Sequence, residues 1–262
     1  MTQLKKRIKQ SFGGASQSYD SVAQLQRNVG KSLLNKLDDS EQFGIAVDLG
    51  CGTGFLINEF LAQKKGMATQ FIALDIAMPM LQAARKKQME LRQITYLCAD
   101  LEYLPLLPQS ADLVISNLAL QWSSNLDVAF AGIKRVLKPG GRLLFSTFGT
   151  STLFELKEAW RKVDDYAHVN TFTNESQLSD FLRHAGFSKV ELETEVVVSC
   201  YESVWDLMGE LKTLGARTVI SGCNKHLTSK SAMERMICAY YQREGNGLVP
   251  ATFEVITVSA IA

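Results

Sequence analysis

The chain has 262 residues, of which 46% are hydrophobic and 21% charged, and its 28 basic and 27 acidic side chains leave a formal net charge of +1. This composition excludes a disordered chain, which would have fewer apolar residues, and a collagen-like or low-complexity chain, which would need far more than 18 Gly and 5 Pro. No stretch approaches the roughly 18 apolar residues of a membrane span, and no apolar run follows the basic start, so we expect a soluble, cytoplasmic protein without a secretory signal.

The first 40 residues are predicted to be mostly helical. Residues 21–37 place six apolar side chains on one helix face, because their spacings are those of a 3.6-residue period. Asp20 or Ser21 is expected to cap the start of this helix. The preceding segment 12–15, Phe-Gly-Gly-Ala, is predicted to be a flexible break.

Strands and helices alternate from residue 45 onwards. The predicted strands are 45–49, 70–74, 94–98, 111–116 and 142–147, and the predicted helices are 55–63, 78–91 and 127–137. Lys138-Pro139-Gly140-Gly141 is a strong stop signal for the last of these helices. Alternation of this kind is typical of a parallel sheet with helices on both faces.

The second half is less regular. We predict helices over 151–166 and 175–185, a strand over 190–198 and a last strand over 252–261. The two strands can close the sheet as antiparallel partners, with residues 200–250 forming an insertion between them. The predicted fold class is therefore α/β, with a seven-stranded, mostly parallel, doubly wound (Rossmann-like) sheet, N-terminal helices and a helical insertion before the last strand.

A glycine-rich loop leaves the first predicted strand, in the sequence Val47-Asp48-Leu49-Gly50-Cys51-Gly52-Thr53-Gly54. Glycines let the backbone turn sharply and approach a ligand closely. Residue 55 is Phe, so the loop lacks the third glycine of the dinucleotide fingerprint, and it also lacks the Lys-Ser/Thr pair of a P-loop. Taken alone, the loop could equally be an ordinary tight turn.

Acidic residues end the next two strands. Asp75 follows the second strand, where a carboxylate can accept from both hydroxyls of a ribose. Asp100 follows the third strand and could accept from an adenine amino group, although a helix cap or turn aspartate is the alternative. Together with Asp48 beside the glycine loop, these acids favour an adenosine ligand at the carboxyl ends of the first three strands.

Residues 45–149 resemble the class I S-adenosylmethionine-dependent methyltransferases. The resemblance rests on residues 47–54 and on two later motifs in the same order, Ala-Asp-Leu-Val-Ile-Ser-Asn (111–117) and Leu-Lys-Pro-Gly-Gly-Arg-Leu-Leu (137–144). It implies S-adenosylmethionine as cofactor, with the methionine moiety over the three glycines, the ribose on Asp75, the adenine at Asp100 and the sulfonium near Asn117. The implied cofactor residues are Asp48, Gly50, Gly52, Gly54, Asp75, Ile76, Asp100, Leu101, Asn117 and Leu118.

The flanks resemble the malonyl-acyl carrier protein O-methyltransferases of biotin synthesis. The matching segments are 12–20, 25–30, 117–122, 172–173, 210–216 and 250–256, so the resemblance runs nearly end to end. Residues 257–262 depart from the resemblance, because they lack the aromatic residue that is expected at the end of the sequence. The resemblance implies methylation of the free carboxylate of a malonyl thioester, carried on acyl carrier protein or coenzyme A, to give a primer for pimeloyl synthesis. It also implies one domain over 1–262, made of a helical cap (1–40), a cofactor core (41–149, continued by 150–199 and 251–262) and a substrate-side insertion (200–250).

Several further residues are candidates for the site. Tyr19 is the expected neutral hydrogen-bond donor to the substrate, while Gln121 and Trp122 should wall the same pocket; a half-buried tyrosine and a core tryptophan are the alternatives. Arg27 could pair with the cofactor's carboxylate. His168 is a weak substrate-side candidate. The carrier is acidic in this resemblance, so its docking face should be basic, and the candidates are Lys212 and Arg217 together with Lys5, Lys6, Arg7 and Lys9, each of which could also be a solvated surface charge.

Other partners and functions are less favoured. The five cysteines lack a C-x-x-C pair, so neither a disulfide framework nor a metal site is predicted, and the near-neutral charge gives no nucleic-acid signature. A methyltransferase for a small free polycarboxylic acid or a quinone-type ring is the alternative enzyme. A non-catalytic S-adenosylmethionine-binding regulator is the alternative from another class.

Overall fold

Seven strands form a single sheet in the computed structural model, which describes residues 2–64, 67–88, 92–216, 218–220, 222, 228–244 and 247–262. In chain order the strands are β1 (Phe43–Leu49), β2 (Ala68–Asp75), β3 (Ile94–Cys98), β4 (Ala111–Asn117), β5 (Leu137–Phe148), β6 (Ser188–Tyr201) and β7 (Val249–Ile261). Their order across the sheet is β3-β2-β1-β4-β5-β7-β6. The pairs among β1 to β5 are parallel, and β7 is antiparallel to both β5 and β6. The predicted fold class is confirmed.

Helices cover both faces of this sheet. The described helices are α1 (Gln3–Ala15), α2 (Tyr19–Val22), α3 (Gln24–Leu34), α4 (Phe55–Gln63), α5 (Met78–Lys87), α6 (Leu126–Val136), α7 (Phe154–Arg161), α8 (Glu175–His184), α9 (Val204–Thr213) and α10 (Lys230–Glu244), with a short 3₁₀ turn at Leu120–Trp122. Side chains of a strand alternate between the faces. On β4, Val114 therefore packs with Phe130 of α6 on one face, while Leu113 and Ile115 pack with Leu33 of α3 on the other.

The topology places a ligand crevice at the carboxyl ends of the central strands. The chain moves outward from β1 to β2 and β3 and then returns to β4 on the other side of β1. In open sheets with this reversal, ligands bind where the strand order changes direction. The loops that leave β1, β2, β3 and β4 all lie at this edge.

The N-terminal region differs from the prediction. Helix α1 continues through the expected break at 12–15, and Gly13 lies so close to α5 that an added Cβ would be 3.4 Å from Cγ of Pro79. The second predicted helix is interrupted at Ala23, whose backbone is not helical. Asp20 lies inside α2 and does not cap a helix; it accepts a hydrogen bond of 2.6 Å from Oγ1 of Thr53 instead. These differences arise from contacts of the N-terminal helices with distant residues, which the local sequence does not encode.

Most remaining boundaries agree with the predictions to within a few residues. Strand β5 begins at Leu137, directly after α6, because the predicted stop segment pairs with the other end of the chain: Gly140 N donates to Ala262 O at 2.9 Å. Helix α7 is shorter than the predicted 151–166, and residues 89–91 of the helix predicted over 78–91 lie outside the described residues. No helix in the described ranges is long and apolar enough to cross a membrane.

Candidate active site

The loops after four strands enclose one cavity, which we call the strand-end cavity. Its wall comes from the glycine loop, from the residues that follow β2, β3 and β4, and from α1 and the 3₁₀ turn above them. The lining includes Lys5, Ile8, Phe12, Tyr19, Gly50, Gly52, Asp75, Ile76, Asp100, Leu101, Asn117, Leu118 and Trp122. Most of the predicted cofactor residues therefore meet in one place.

Gly50 and Gly52 of the glycine loop are explained by different physical requirements. Gly50 (φ +74°) and Gly52 (φ +53°) both adopt the left-handed backbone conformation that side chains disfavour. An added Cβ at Gly50 would lie 2.3 Å from Cβ of Ala119, whereas at Gly52 it would meet no protein atom within 4 Å. Gly50 is thus required by packing, and Gly52 keeps open the space that a ligand would fill.

Gly54 lies apart from the described cavity linings. It begins α4 at φ +84°, and an added Cβ would lie 2.9 Å from Nε2 of Gln88 and 3.1 Å from Cβ of Ala84. The structure therefore gives no support to the prediction that Gly54 contacts the cofactor. Its place in the motif is explained by the close approach of α4 to α5.

Two buried acidic side chains lie beside the glycine loop, and Asp75 belongs to the lining of the strand-end cavity. Asp75 accepts backbone hydrogen bonds at both oxygens, from Gly52 N at 3.0 Å and from Ala77 N at 2.8 Å. Burial raises the pKa of Asp75 to about 6, although these N–H groups act to lower it. Asp48 is 1% exposed and Oδ2 has no hydrogen-bond partner in the described structure, so burial, and then the nearby Asp75, raise the pKa of Asp48 to about 8. Asp75 is therefore the ionised group that a cationic ligand in the strand-end cavity would meet at neutral pH, while Asp48 keeps its proton.

Arg27 and Tyr19 flank a smaller pocket on the other side of the glycine loop. This glycine-loop pocket is also lined by Gln26, Asp48 and Asn117. Arg27 donates from Nη1 to Asp20 O at 2.7 Å and from Nη2 to Oε1 of Gln24 at 3.0 Å. Tyr19 lines both this pocket and the strand-end cavity, and burial, with the nearby carboxylates of Asp75 and Asp20, raises the pKa of its phenol, so the hydroxyl is a neutral donor.

A second large cavity opens beside the first; we call it the side cavity. It has a volume of about 500 Å³ and a mostly apolar wall built by the segments after β5, by α9 and by β7. Trp122 lines both cavities, and Gln121 lines the side cavity while donating from Nε2 to Leu118 O at 2.8 Å. Trp122 therefore lies at the junction of the two cavities, whereas Gln121 lines the side cavity and Tyr19 lines the strand-end cavity, so the three residues predicted to share one pocket lie around both.

The polar groups of the side cavity are few. His168 stacks on Trp160 with ring centroids 3.6 Å apart, and its Nε2 lies 2.9 Å from Oδ1 of Asp164, so it is firmly oriented. Lys212 is exposed and belongs to the lining, beside Trp205, whose exposed fraction is 58%. Arg217 lies outside the described residues.

Sequence reasoning missed two residues of the site. Gln26 lines both the side cavity and the glycine-loop pocket, its Oε1 is buried without a partner among the described residues, and its backbone carbonyl accepts from Nδ2 of Asn117 at 2.8 Å. No signal beyond its place in the 25–30 motif marked it. Lys5 was expected on a docking face, but it is 4% exposed and bonds to Asp100 and Glu102. Its spacing from Ile8 and Phe12, three and seven residues on, was the signal that places it on the inner face of α1.

Comparisons with known proteins show similarity along nearly the whole chain. Residues 47–145 match the family model described as a methyltransferase domain. The chain is 43% identical over 249 residues to the malonyl-[acyl-carrier protein] O-methyltransferase of Methylococcus capsulatus, an alignment that covers 94% of this chain and 90% of the relative. It is 38% identical over 259 residues to the biotin biosynthesis bifunctional protein BioHC of Saccharophagus degradans, covering 96% of this chain but only 45% of that larger protein.

Solved structures share the fold at low sequence identity. The YcgJ protein of Bacillus subtilis superposes with a TM-score of 0.64 at 14% identity, over 88% of this chain and 97% of that one. Phosphoethanolamine N-methyltransferase 2 of Haemonchus contortus, solved in complex with S-adenosyl-L-methionine, gives a TM-score of 0.63 at 16% identity, over 100% of this chain and 60% of that one.

Proposed function

The chain belongs to the malonyl-[acyl-carrier protein] O-methyltransferase family, and we propose that it transfers a methyl group from S-adenosylmethionine to the free carboxylate of a malonyl thioester on acyl carrier protein, in biotin synthesis. The observation that carries this proposal is that identity to the relatives extends over 94% of the chain, well beyond the 47–145 core. The core alone would support only the reaction class, because one fold hosts many substrates. The flanks build the side cavity, where an acceptor would lie.

The residues of the strand-end cavity fit S-adenosylmethionine. The space left open at Gly52 accommodates a ligand close to the backbone, and the carboxylate of Asp75 suits a cationic one. Asp75 would hold the ribose, Asp100 and Leu101 the adenine, and Asn117 and Leu118 the region of the sulfur. When bound, this cofactor supplies a methyl group on a positively charged sulfonium.

The chain's own residues then have to orient the acceptor and exclude water. A carboxylic acid has an ordinary pKa near 4, so the malonyl carboxylate is ionised at neutral pH and needs no general base. Orientation accounts for up to roughly 7–11 kcal/mol of rate enhancement in favourable cases. Trp122 and the apolar wall of the side cavity would keep the path dry, and neutral donors would hold the carboxylate without stabilising its charge as strongly as an arginine clamp would. Tyr19 and Gln121 are the donors we assign to this role.

Arg27 is better placed for the cofactor than for the acceptor. It lines the glycine-loop pocket and does not belong to the side-cavity lining. Its guanidinium would face the amino-acid end of the cofactor, where it would pair with the carboxylate. The bonds from Arg27 to Asp20 O and Gln24 orient it for that contact.

Acyl carrier protein is the proposed physiological carrier, with coenzyme A as the alternative. Lys212, exposed at the side cavity, would contact the acidic carrier, and Arg217 and the outward α1 residues Lys6 and Arg7 would extend the contact. Lys212→Glu should raise KM for malonyl-carrier and leave KM for malonyl-coenzyme A unchanged. Equal effects on both substrates would contradict docking at Lys212.

Mass spectrometry of malonyl-carrier after incubation with the purified protein and S-adenosylmethionine tests the function. We expect the mass to rise by one CH₂ unit, and the gain to be absent when S-adenosylmethionine is left out of the reaction. Parallel reactions with a free polycarboxylic acid and with a quinone-type ring serve as competing acceptors. Faster methylation of either would overturn the proposal in favour of that acceptor; tight cofactor binding without turnover on any of them would identify a regulator.

A further inference from the structure

A lysine on the N-terminal helix is buried against two carboxylates beside the strand-end cavity. We propose that Lys5 is a positioning residue, which locks α1 over the bound cofactor and fixes Asp100 for the adenine. The proposal rests on the cofactor assigned above, but it does not depend on the identity of the methyl acceptor. It assigns to α1 a role in holding the cofactor as well as in covering it.

The environment of Lys5 is unusual for a lysine. Only 5% of its side chain is exposed, and Nζ lies 3.0 Å from Oδ1 of Asp100 and 2.7 Å from Oε1 of Glu102. Lysines are almost never fully buried unless they are paired, because removing the charge from water is costly. Ile8 and Phe12 continue the same inner face of α1 along the cavity. The charge of Lys5 therefore serves a contact inside the protein.

The contact leaves one oxygen of Asp100 for a ligand. Oδ1 accepts from Lys5 and also from the backbone N of Glu102 at 3.1 Å, so two donors fix this oxygen. Within the described structure Oδ2 makes no hydrogen bond, and Asp100 lines the strand-end cavity. A carboxylate held at one oxygen presents the other in a defined direction, as the amino group of an adenine would require.

Glu102 connects this contact to the wall of the side cavity. Its Oε1 accepts from Ser124 N at 2.6 Å, from Ser123 Oγ at 2.9 Å and from Asn125 N at 3.2 Å, in the segment directly after Trp122. Burial acts to raise the pKa of Glu102, but hydrogen bonds from Lys5 and the serines lower it to about 2, so the carboxylate is ionised throughout the physiological range. The charge that Lys5 faces is therefore permanent.

A second contact holds the other end of α1. The rings of Phe12 and Trp122 meet edge to face, with centroids 5.1 Å apart. Lys5 and Phe12 thus pin α1 at two points to the structure around the 3₁₀ turn. Lys5 and Asp100 also line a depression on the outer side, together with the exposed Thr2 and Tyr103, so their ion pair separates the strand-end cavity from solvent. Opening this pair is the route we assign to cofactor exchange.

Lys5→Met tests the proposal, because methionine keeps an unbranched apolar side chain and removes the charge. The dissociation rate of S-adenosylhomocysteine, measured by stopped-flow tryptophan fluorescence, should rise about tenfold or more, and its affinity by calorimetry should fall accordingly. Hydrogen exchange of the α1 amides in the loaded protein should speed up as well. Lys5→Arg restores the charge and should recover most of the affinity. Lys86→Met, at an exposed lysine of α5 that has no part in the site or in carrier docking, is the matched control and should leave binding within about twofold.

Two results would overturn the proposal. Unchanged dissociation and α1 exchange in Lys5→Met would show that the ion pair does not hold the helix. Loss of affinity in both Lys5→Met and Lys5→Arg, with an unfolding midpoint lowered to the same extent in both, would show a merely structural role. The proposed function fails separately, when the wild-type protein binds S-adenosylhomocysteine normally but does not methylate malonyl-carrier.

Discussion

Alanine at Gly50 should mainly reduce stability, whereas alanine at Gly52 should mainly reduce cofactor binding. In Gly50→Ala the new Cβ would lie 2.3 Å from Cβ of Ala119, whereas carbon atoms pack at about 3.5–4.0 Å, so the backbone must move by more than 1 Å. Overpacking costs about 1–3 kcal/mol and a left-handed alanine about 1–2 kcal/mol, which together give about 2–5 kcal/mol of lost stability. Gly52→Ala has no such clash and should lose only about 1–2 kcal/mol of stability, from the left-handed backbone conformation of the new alanine.

Binding should show the reverse contrast. The methyl group of Gly52→Ala projects into the space that we assign to the cofactor, so its affinity for S-adenosylhomocysteine should fall at least about tenfold while most of the stability remains. Urea unfolding of the free proteins gives the first quantity, and calorimetric titration of the folded proteins gives the second. Unchanged affinity in Gly52→Ala, or an equal loss of stability in the two variants, would refute the assignment of the glycines to packing and to ligand space.

Three further substitutions test the surrounding site. Asp48→Asn should flatten the pH dependence of stability, because the folded protein keeps a proton on Asp48 up to about pH 8 that the unfolded chain releases near pH 4. Wild-type stability should therefore fall between these values by up to about 1.4 kcal/mol per pH unit. The same difference in urea midpoint between wild type and variant at pH 5 and at pH 8 would contradict this. Asp75→Ala should weaken cofactor affinity sharply, and unchanged calorimetric binding would rule out the ribose contact. Gln26→Leu removes a buried oxygen that has no partner in the described structure and should raise KM for malonyl-carrier; a stability gain without any kinetic effect would make Gln26 a packing residue.

The sheet was predictable because its strands carry local signals. The apolar runs before Gly50, Asp75 and Asp100 are short, and each is followed by a polar or glycine residue where the strand leaves the core, so β1, β2 and β3 were placed within two residues of their observed starts and ends. Antiparallel closure by the last strand was also correct. Strand β5 begins at Leu137 rather than at the predicted residue 142, since residues 137–141 extend it by pairing with the far end of the chain, a contact that no local pattern encodes.

The N-terminal helix was harder because its structure is set by contacts with distant residues. Gly13 favours a break by intrinsic propensity, at a cost of about 1 kcal/mol relative to alanine, but α1 continues through it and packs against α5, where an added Cβ would be in ordinary contact with Cγ of Pro79. Lys5 was assigned to the surface on the general rule for charges, and the rule fails because Asp100 and Glu102 supply two partners nearly a hundred residues away. The spacing of Lys5 from the apolar Ile8 indicates the inner face of the helix, whereas the run of basic residues around Lys5 indicates an exposed face.

The distribution of charge explains why the two halves of the site need different kinds of residue. Asp75 is buried in the strand-end cavity, and the cations Lys5 and Arg27 are engaged elsewhere, Lys5 by Asp100 and Arg27 by the carbonyl of Asp20. The strand-end cavity is therefore suited to hold a positive charge. An anionic acceptor would be repelled from the carboxylate of Asp75, so it has to approach from the side cavity, whose wall is mostly apolar. Trp122 lines both cavities, so both reactants would contact it, and this position makes it a boundary between the acidic space and the apolar one.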